Sequence, residues 1–96
     1  MVKVRGNRVE PAEIEDALRR LPEITDVAVL PLRTQTEASL IAYVVTAPGA
    51  TPDRATLIAH LRAILPVYMM PARFEFLPVL PRLPNGKIDA RRLADG

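Results

Sequence analysis

Proline placement limits the folds open to this 96-residue chain more than any other feature, because a proline carries no amide donor and fixes φ at about −65°. Helical spacing fits only two stretches between these breaks. The first runs from Pro11 to Leu21 and is closed by Pro22. Pro11 at a first helical position, Glu13, Glu15 and Asp16 in the early turns and Arg19 and Arg20 at the end match the helix dipole. Ile14, Ala17, Leu18 and Leu21 recur on one face, and Glu15 with Arg19 and Asp16 with Arg20 form i,i+4 pairs on the exposed side. The second helix has Thr51 as cap, Pro52 at its first position and a core stripe of Leu57, Ile58, Leu61, Ile64 and Leu65, and Pro66 ends it.

After Pro66 the chain changes texture. Pro71, Pro78, Pro81 and Pro84 leave room for one strand, about Arg73 to Leu77, followed by irregular chain and a short helix at Asp89 to Leu93. Val79, Leu80 and Leu83 are candidate apolar anchors, so this tail reads as packed irregular backbone that delivers a group to a defined place.

Strand signals occupy the remainder. Val2 to Arg5 and Arg8 to Val9 read as a hairpin joined by Gly6-Asn7, since both residues tolerate positive φ. Val27, Val29 and Leu30 lie in one β-prone stretch and Leu40 to Val45 in another, with a polar loop at Arg33 to Glu37, and the pair is expected to be antiparallel. Leu40 to Val45 is almost continuously apolar, which predicts a strand covered on both faces, with helices as the natural cover. The expected class is α+β: a single domain over 1–96 with an N-terminal β-hairpin, a small sheet of about three strands flanked by two main helices, and an irregular C-terminal loop. Strand order is not readable at this level.

Composition removes several functions. Apolar residues make up 49% and charged residues 25%, with a net charge of +2 and interleaved signs, which is not the one-sided basic stripe of a nucleic-acid binder. Tyr43, Tyr68, Phe74 and Phe76 are the aromatics, and none lies in a basic setting suited to base stacking. The apolar runs fall far short of the roughly 20 residues that cross a bilayer. No secretory signal precedes Val2, and without cysteine, and with one histidine, a zinc site has few ligands to draw on. The expectation is a cytoplasmic, metal-free monomer with no nucleic-acid or membrane partner.

Few residues carry distinctive chemistry. Pro84-Asn85-Gly86 is a turn signal and Lys87 follows it directly, so the lysine stands on a tight turn. An ammonium group there suits stabilisation of negative charge on phosphate and carboxylate oxygens. By spacing alone, an exposed lysine after a surface turn is the simpler reading. On the residues alone, Gly6-Asn7 is likewise more simply a good hairpin turn, with Arg8 a solvated charge or a salt-bridge partner. His60 falls toward the helix face opposite Ile58 and Leu65, which predicts a surface histidine, and no triad accompanies it. Glu13 and Glu15 point to different sides of their helix, and Met69-Met70 is core or interface filler.

Three blocks, in order, carry a resemblance that covers essentially the whole chain. Val2-Lys3-Val4-Arg5-Gly6-Asn7-Arg8-Val9-Glu10-Pro11-Ala12-Glu13-Ile14-Glu15 resembles the V-K-I-R-G-x-R-I-E and G-E-I-E segment that follows the interdomain hinge of adenylation domains in nonribosomal peptide synthetases, members of the adenylate-forming superfamily. Leu65-Pro66-Val67-Tyr68-Met69-Met70-Pro71-Ala72-Arg73-Phe74 is similar to that family's L-P-x-Y-M-x-P-x-x-F block. Leu80-Pro81-Arg82-Leu83-Pro84-Asn85-Gly86-Lys87-Ile88-Asp89 is similar to its L-P-x-T-P-N-G-K-x-D block. The departures are Ala12 for glycine, Leu83 for threonine and Ala90 for arginine.

The resemblance implies a mobile C-terminal subdomain of an ATP-dependent amino-acid adenylating enzyme, with Lys87 as the adenylation catalyst. It also implies that Gly6, Asn7 and Arg8 form the surface that meets the phosphopantetheine arm of a peptidyl carrier protein in thioester transfer, after the subdomain has rotated. ATP and Mg would then be bound mainly by a large N-terminal subdomain that this chain lacks, leaving the chain inactive alone, and the complete enzyme would serve a pathway such as antibiotic biosynthesis. A subdomain of an acyl- or aryl-CoA ligase is the nearest alternative, although such ligases more often show S-G-K in the lysine loop. A free-standing module that binds a carrier protein in trans is another.

Overall fold

The computed structural model describes residues 2–4, 6–33 and 38–95. In chain order the elements are β1 (Val2–Val4), β2 (Asn7–Val9), α1 (Pro11–Arg19), β3 (Ile24–Arg33), β4 (Ala38–Thr46), α2 (Arg54–Arg62), a 3-10 turn (Val67–Met69), β5 (Arg73–Phe76) and α3 (Ala90–Asp95). β1 and β2 form an antiparallel hairpin, while β3, β4 and β5 form a separate sheet in that order. This is the α+β arrangement expected from the sequence.

β4 is the middle strand, antiparallel to β3 and parallel to β5. Parallel neighbours need a long crossover, and α2 lies within the connection from β4 to β5. Alternation along β4 sends Leu40, Ala42 and Val44 to one face and Ile41 and Tyr43 to the other, and all five are buried. The first face meets Ile14, Ala17 and Leu18 of α1, Leu57 and Leu61 of α2, Val9 of β2 and Met69. The second packs against Leu80 and Leu93, with Leu77 and Ile88 at its margin. Strand β4 is thus covered on both sides as its composition predicts, but the two main helices cover only the first. The tail and the short α3 cover the second, because the chain crosses to that face after β5.

Several local expectations shift. The hairpin register pairs Val4 with Asn7, so Asn7 already belongs to β2. Gly6 holds φ at +80°, and that left-handed requirement places the turn on the glycine rather than between Gly6 and Asn7. Arg5 and residues 34–37 of the polar loop lie outside the described residues. α1 stops at Arg19, two residues before the expected Leu21, and its end is closed by short-range bonds from Arg20 N–H to Ala17 O and from Leu21 N–H to Leu18 O. α2 is capped by Asp53, not Thr51: the Asp53 carboxylate accepts the Thr56 N–H at 2.8 Å, and Pro52 lies before the helix. That N–H bond, with a further one from the Thr56 side chain, holds the Asp53 carboxyl below its ordinary value.

Charged side chains also settle differently from their expected places. Arg19 lies 3.9 Å from Glu15, as the i,i+4 spacing predicts, yet it also pairs with Asp16 at 3.1 Å. Glu15 is not simply on the exposed side: its Oε2 accepts the Val29 N–H of β3 at 2.8 Å. Since β3 is an edge strand, this carboxylate satisfies a backbone donor that no neighbouring strand reaches. His60 is half-buried rather than on the surface, and its Nε2–H donates to the Ala17 carbonyl at 2.7 Å, joining α2 to the last turn of α1.

Replacing Glu15 tests the edge contact. Glu15→Ala should cost about 1–3 kcal/mol by leaving the Val29 N–H without its acceptor, toward the lower end because the site is half-buried. Glu15→Gln, which keeps an amide oxygen, should lose much less. Urea unfolding of both variants, at unchanged slope, measures the difference.

Candidate functional site

Residues 80–89 form a closed hairpin-like turn. Leu80 is buried in the second-face cluster at one end, and Ile88 packs against the same cluster at the other. Between them Arg82 and Ile88 form an antiparallel bridge, the Leu83 N–H donates to Lys87 O at 2.7 Å, and the Gly86 N–H donates to Leu83 O at 2.9 Å. Pro84 therefore takes the second position of a β-turn, where its fixed φ fits. Gly86 has φ of +89°, and the Asn85 side chain accepts the Lys87 N–H at 3.0 Å. The Asp89 N–H bonds to Pro81 O at 2.9 Å, and Asp89 Oδ1 accepts the Arg92 N–H at 3.1 Å, capping α3.

Lys87 is exposed at the end of this turn. Its backbone is fixed on both sides, by Asn85 and by Leu83, while its side chain is open to a partner surface. Of the expected apolar anchors only Leu80 is buried; Val79 is 70% and Leu83 42% exposed, and Leu77, Ile88 and Leu93 do the anchoring instead. Leu83 replaces the family threonine at an exposed position, so the loop closes through its backbone without help from that side chain.

Sequence reasoning missed two residues here. Arg82 donates from Nη1 to Gly86 O at 2.9 Å and from Nη2 to Asp26 Oδ2 at 2.6 Å. Asp26 stands at a register irregularity of β3, and its Oδ1 accepts the Val27 N–H at 3.0 Å. Nothing in either local sequence marks a pair separated by 56 positions.

Gly6, Asn7 and Arg8 lie together on the hairpin and are exposed. A Cβ at Gly6 would meet no heavy atom within 4 Å, so the space beside the turn is open. The hairpin is held through Val9 in the first-face cluster, whereas the lysine turn is held in the second. The two candidate surfaces are consequently anchored to opposite faces of one sheet. Among the described residues no group of three His, Cys, Asp or Glu is arranged to hold a metal ion. None of the helices described is long and apolar enough to cross a membrane.

A mixed three-stranded sheet with two main helices on one face and an anchored lysine turn with the short α3 on the other defines a small α+β domain of distinctive build. The chain belongs to the family of AMP-binding enzyme C-terminal domains, whose profile matches residues 13–87. It is 45% identical over 93 residues to isonitrile lipopeptide synthase of Streptomyces coeruleorubidus, covering 96% of this chain and 6% of that protein. It is 42% identical over 92 residues to malpibaldin synthetase of Mortierella alpina, covering 96% of this chain and 2% of that protein. The fold is similar to the crystal structure of ATP-bound MatB from Rhodopseudomonas palustris, with a TM-score of 0.90 and 29% identity over 99% of this chain and 19% of that one. The chain therefore spans only a small part of each relative's length, and the resemblance to C-terminal adenylation subdomains seen in its motifs holds across the whole chain.

The turn depends on its left-handed glycine. Gly86→Ala meets no steric obstacle, so its cost is the backbone conformation itself, on the order of 1–2 kcal/mol. Hydrogen exchange should show faster loss of protection at the amides of Leu83, Gly86 and Lys87, with the β4 amides unchanged.

Proposed function

We propose that the chain is the mobile C-terminal subdomain of an ATP-dependent enzyme that activates an amino acid as its adenylate and passes it to a carrier-protein thiol. The observation that carries this reading is an exposed lysine on a turn whose backbone is fixed on both sides. Membership of the AMP-binding family and the nucleotide in the MatB crystal structure support it.

In the first half-reaction a carboxylate oxygen attacks the α-phosphorus of ATP, an acyl–phosphate bond forms, and pyrophosphate leaves. The Lys87 ammonium group stabilises the negative charge shared between the carboxylate and phosphate oxygens, and a fixed backbone means little reorganisation is needed at that moment. In the second half-reaction the carrier's thiolate attacks the acyl carbonyl and AMP leaves. Gly6 then faces the pantetheine arm, where a residue without Cβ allows close approach, with Asn7 and Arg8 as flanking donors. Because the two surfaces hang from opposite faces of the sheet, rotating the domain as a body would exchange one for the other.

Single-turnover assays of the two half-reactions in the full-length protein carrying this chain test the assignment. Lys87→Ala should slow adenylate formation by roughly a hundred- to a thousandfold, equivalent to about 2.7–4 kcal/mol. Its stability should change by no more than about 0.5 kcal/mol, since the side chain is exposed. Transfer of preformed adenylate should be nearly unaffected. Gly6→Trp should give the opposite pattern, with thermal unfolding run alongside because φ at Gly6 is left-handed. Equal impairment of both steps by both variants would contradict the assignment.

A further inference from the structure

We infer that Arg82 and Asp26 act as positioning residues for Lys87, a two-ended link that sets how the lysine turn sits on the sheet. The inference rests on reading Lys87 as the adenylation catalyst. The bonds inside the turn, from Gly86 N–H to Leu83 O and from Leu83 N–H to Lys87 O, fix its shape but do not refer it to the sheet. Leu80 and Ile88 pack its two ends against the second-face cluster, which anchors the base of the turn but leaves the orientation of its tip, residues 83–87, to be set elsewhere.

The Arg82 guanidinium supplies that second reference. One nitrogen holds the carbonyl of Gly86, the residue directly before Lys87, at 2.9 Å, and the other holds the Asp26 carboxylate at 2.6 Å. Asp26 is itself restrained, because its second oxygen accepts the Val27 N–H at 3.0 Å beside the register irregularity of β3. The connection therefore runs from sheet backbone through carboxylate and guanidinium to the peptide that carries the lysine. The side chains of Arg82 and Asp26 are 44% and 27% exposed, and ion pairs at such exposure add little to global stability. What a planar fork with separate donors does provide is geometry, since its two bonds are fixed relative to one another. Gly86, at φ +89° and without a side chain, has few other restraints on where its carbonyl points.

The test uses the same two single-turnover assays on the full-length protein. Arg82→Ala should slow adenylate formation about 10- to 100-fold, the scale of a misplacement of about 1 Å, with the KM for ATP and the rate of thioester transfer unchanged. Asp26→Asn keeps an oxygen for the Val27 N–H and loses the ion pair, so it should shift the same half-reaction in the same direction. Arg82→Lys should recover only part of the rate, because a single ammonium does not reproduce the fork. Placed on Lys87→Ala, Arg82→Ala should add no further loss, since residues acting through one group are not additive. Adenylation at the unaltered rate in Arg82→Ala, while Lys87→Ala is slow, would overturn the inference and leave the reading of Lys87 intact. Loss of both half-reactions together with a lowered unfolding midpoint would also overturn it, marking the link as structural. If Lys87→Ala itself had no effect, the reading of the lysine would fail and this inference with it.

Discussion

Leu40, Ile41, Ala42, Tyr43 and Val44 leave β4 without a polar face, so the strand is stable only if both of its sides are covered. The rest of the domain follows from meeting that requirement with few residues. Two helices of 9 residues each cover the first side. After α2 returns the chain to the same sheet as parallel β5, the remaining residues cross to the second side. Ten prolines in the chain, several of them in that last stretch, prevent another long helix from forming there. The second cover is consequently mostly irregular backbone, pinned at Leu77, Leu80 and Ile88, with Leu93 of the short α3 beside them. An irregular cover exposes turns that a helix would not, and one of them ends in Lys87.

The same two-sided burial separates the candidate surfaces. Val9 ties the hairpin to the helical side, and Ile88 ties the lysine turn to the other. A rigid sheet between them makes each surface a fixed feature of the domain, so the proposed exchange of one for the other needs only a change in how the whole domain is oriented. Glu15 contributes to that rigidity by bonding the edge of β3, and His60 does so by joining the two helices.

Much of this was legible in local pattern. The unbroken apolar run of Leu40 to Val45 marked a strand buried on both faces, the spacing of Ile14, Ala17 and Leu18 marked the core face of α1, and Pro84-Asn85-Gly86 marked the turn before Lys87. Where competing local signals sat side by side, the choice went wrong by a residue or two. Asp53 displaced Thr51 as cap because a carboxylate closer to the helix reaches the Thr56 N–H, and the hairpin turn falls on Gly6, which holds positive φ, while Asn7 belongs to β2. Long-range features were not legible. The parallel pairing of β5, the Glu15 bond to Val29, the bond from His60 to Ala17 and the link from Arg82 to Asp26 each depend on how separate elements pack, which hydrophobic spacing does not encode.

The role proposed for Lys87 requires that its side chain meet the activated carboxylate. The chain has two lysines, Lys3 and Lys87, which provides an internal comparison. An acyl-adenylate is a mixed anhydride, and a lysine amine held beside its carbonyl attacks it, forming an amide and releasing AMP. The decisive measurement is mass-spectrometric mapping of acylated lysines after the full-length protein is incubated with such an adenylate in mildly alkaline buffer, with and without an unreactive adenylate mimic. The expected result is acylation of Lys87 that the mimic suppresses, with Lys3 showing no such protection. Equal, unprotected labelling of both lysines, or none at Lys87, would contradict that role.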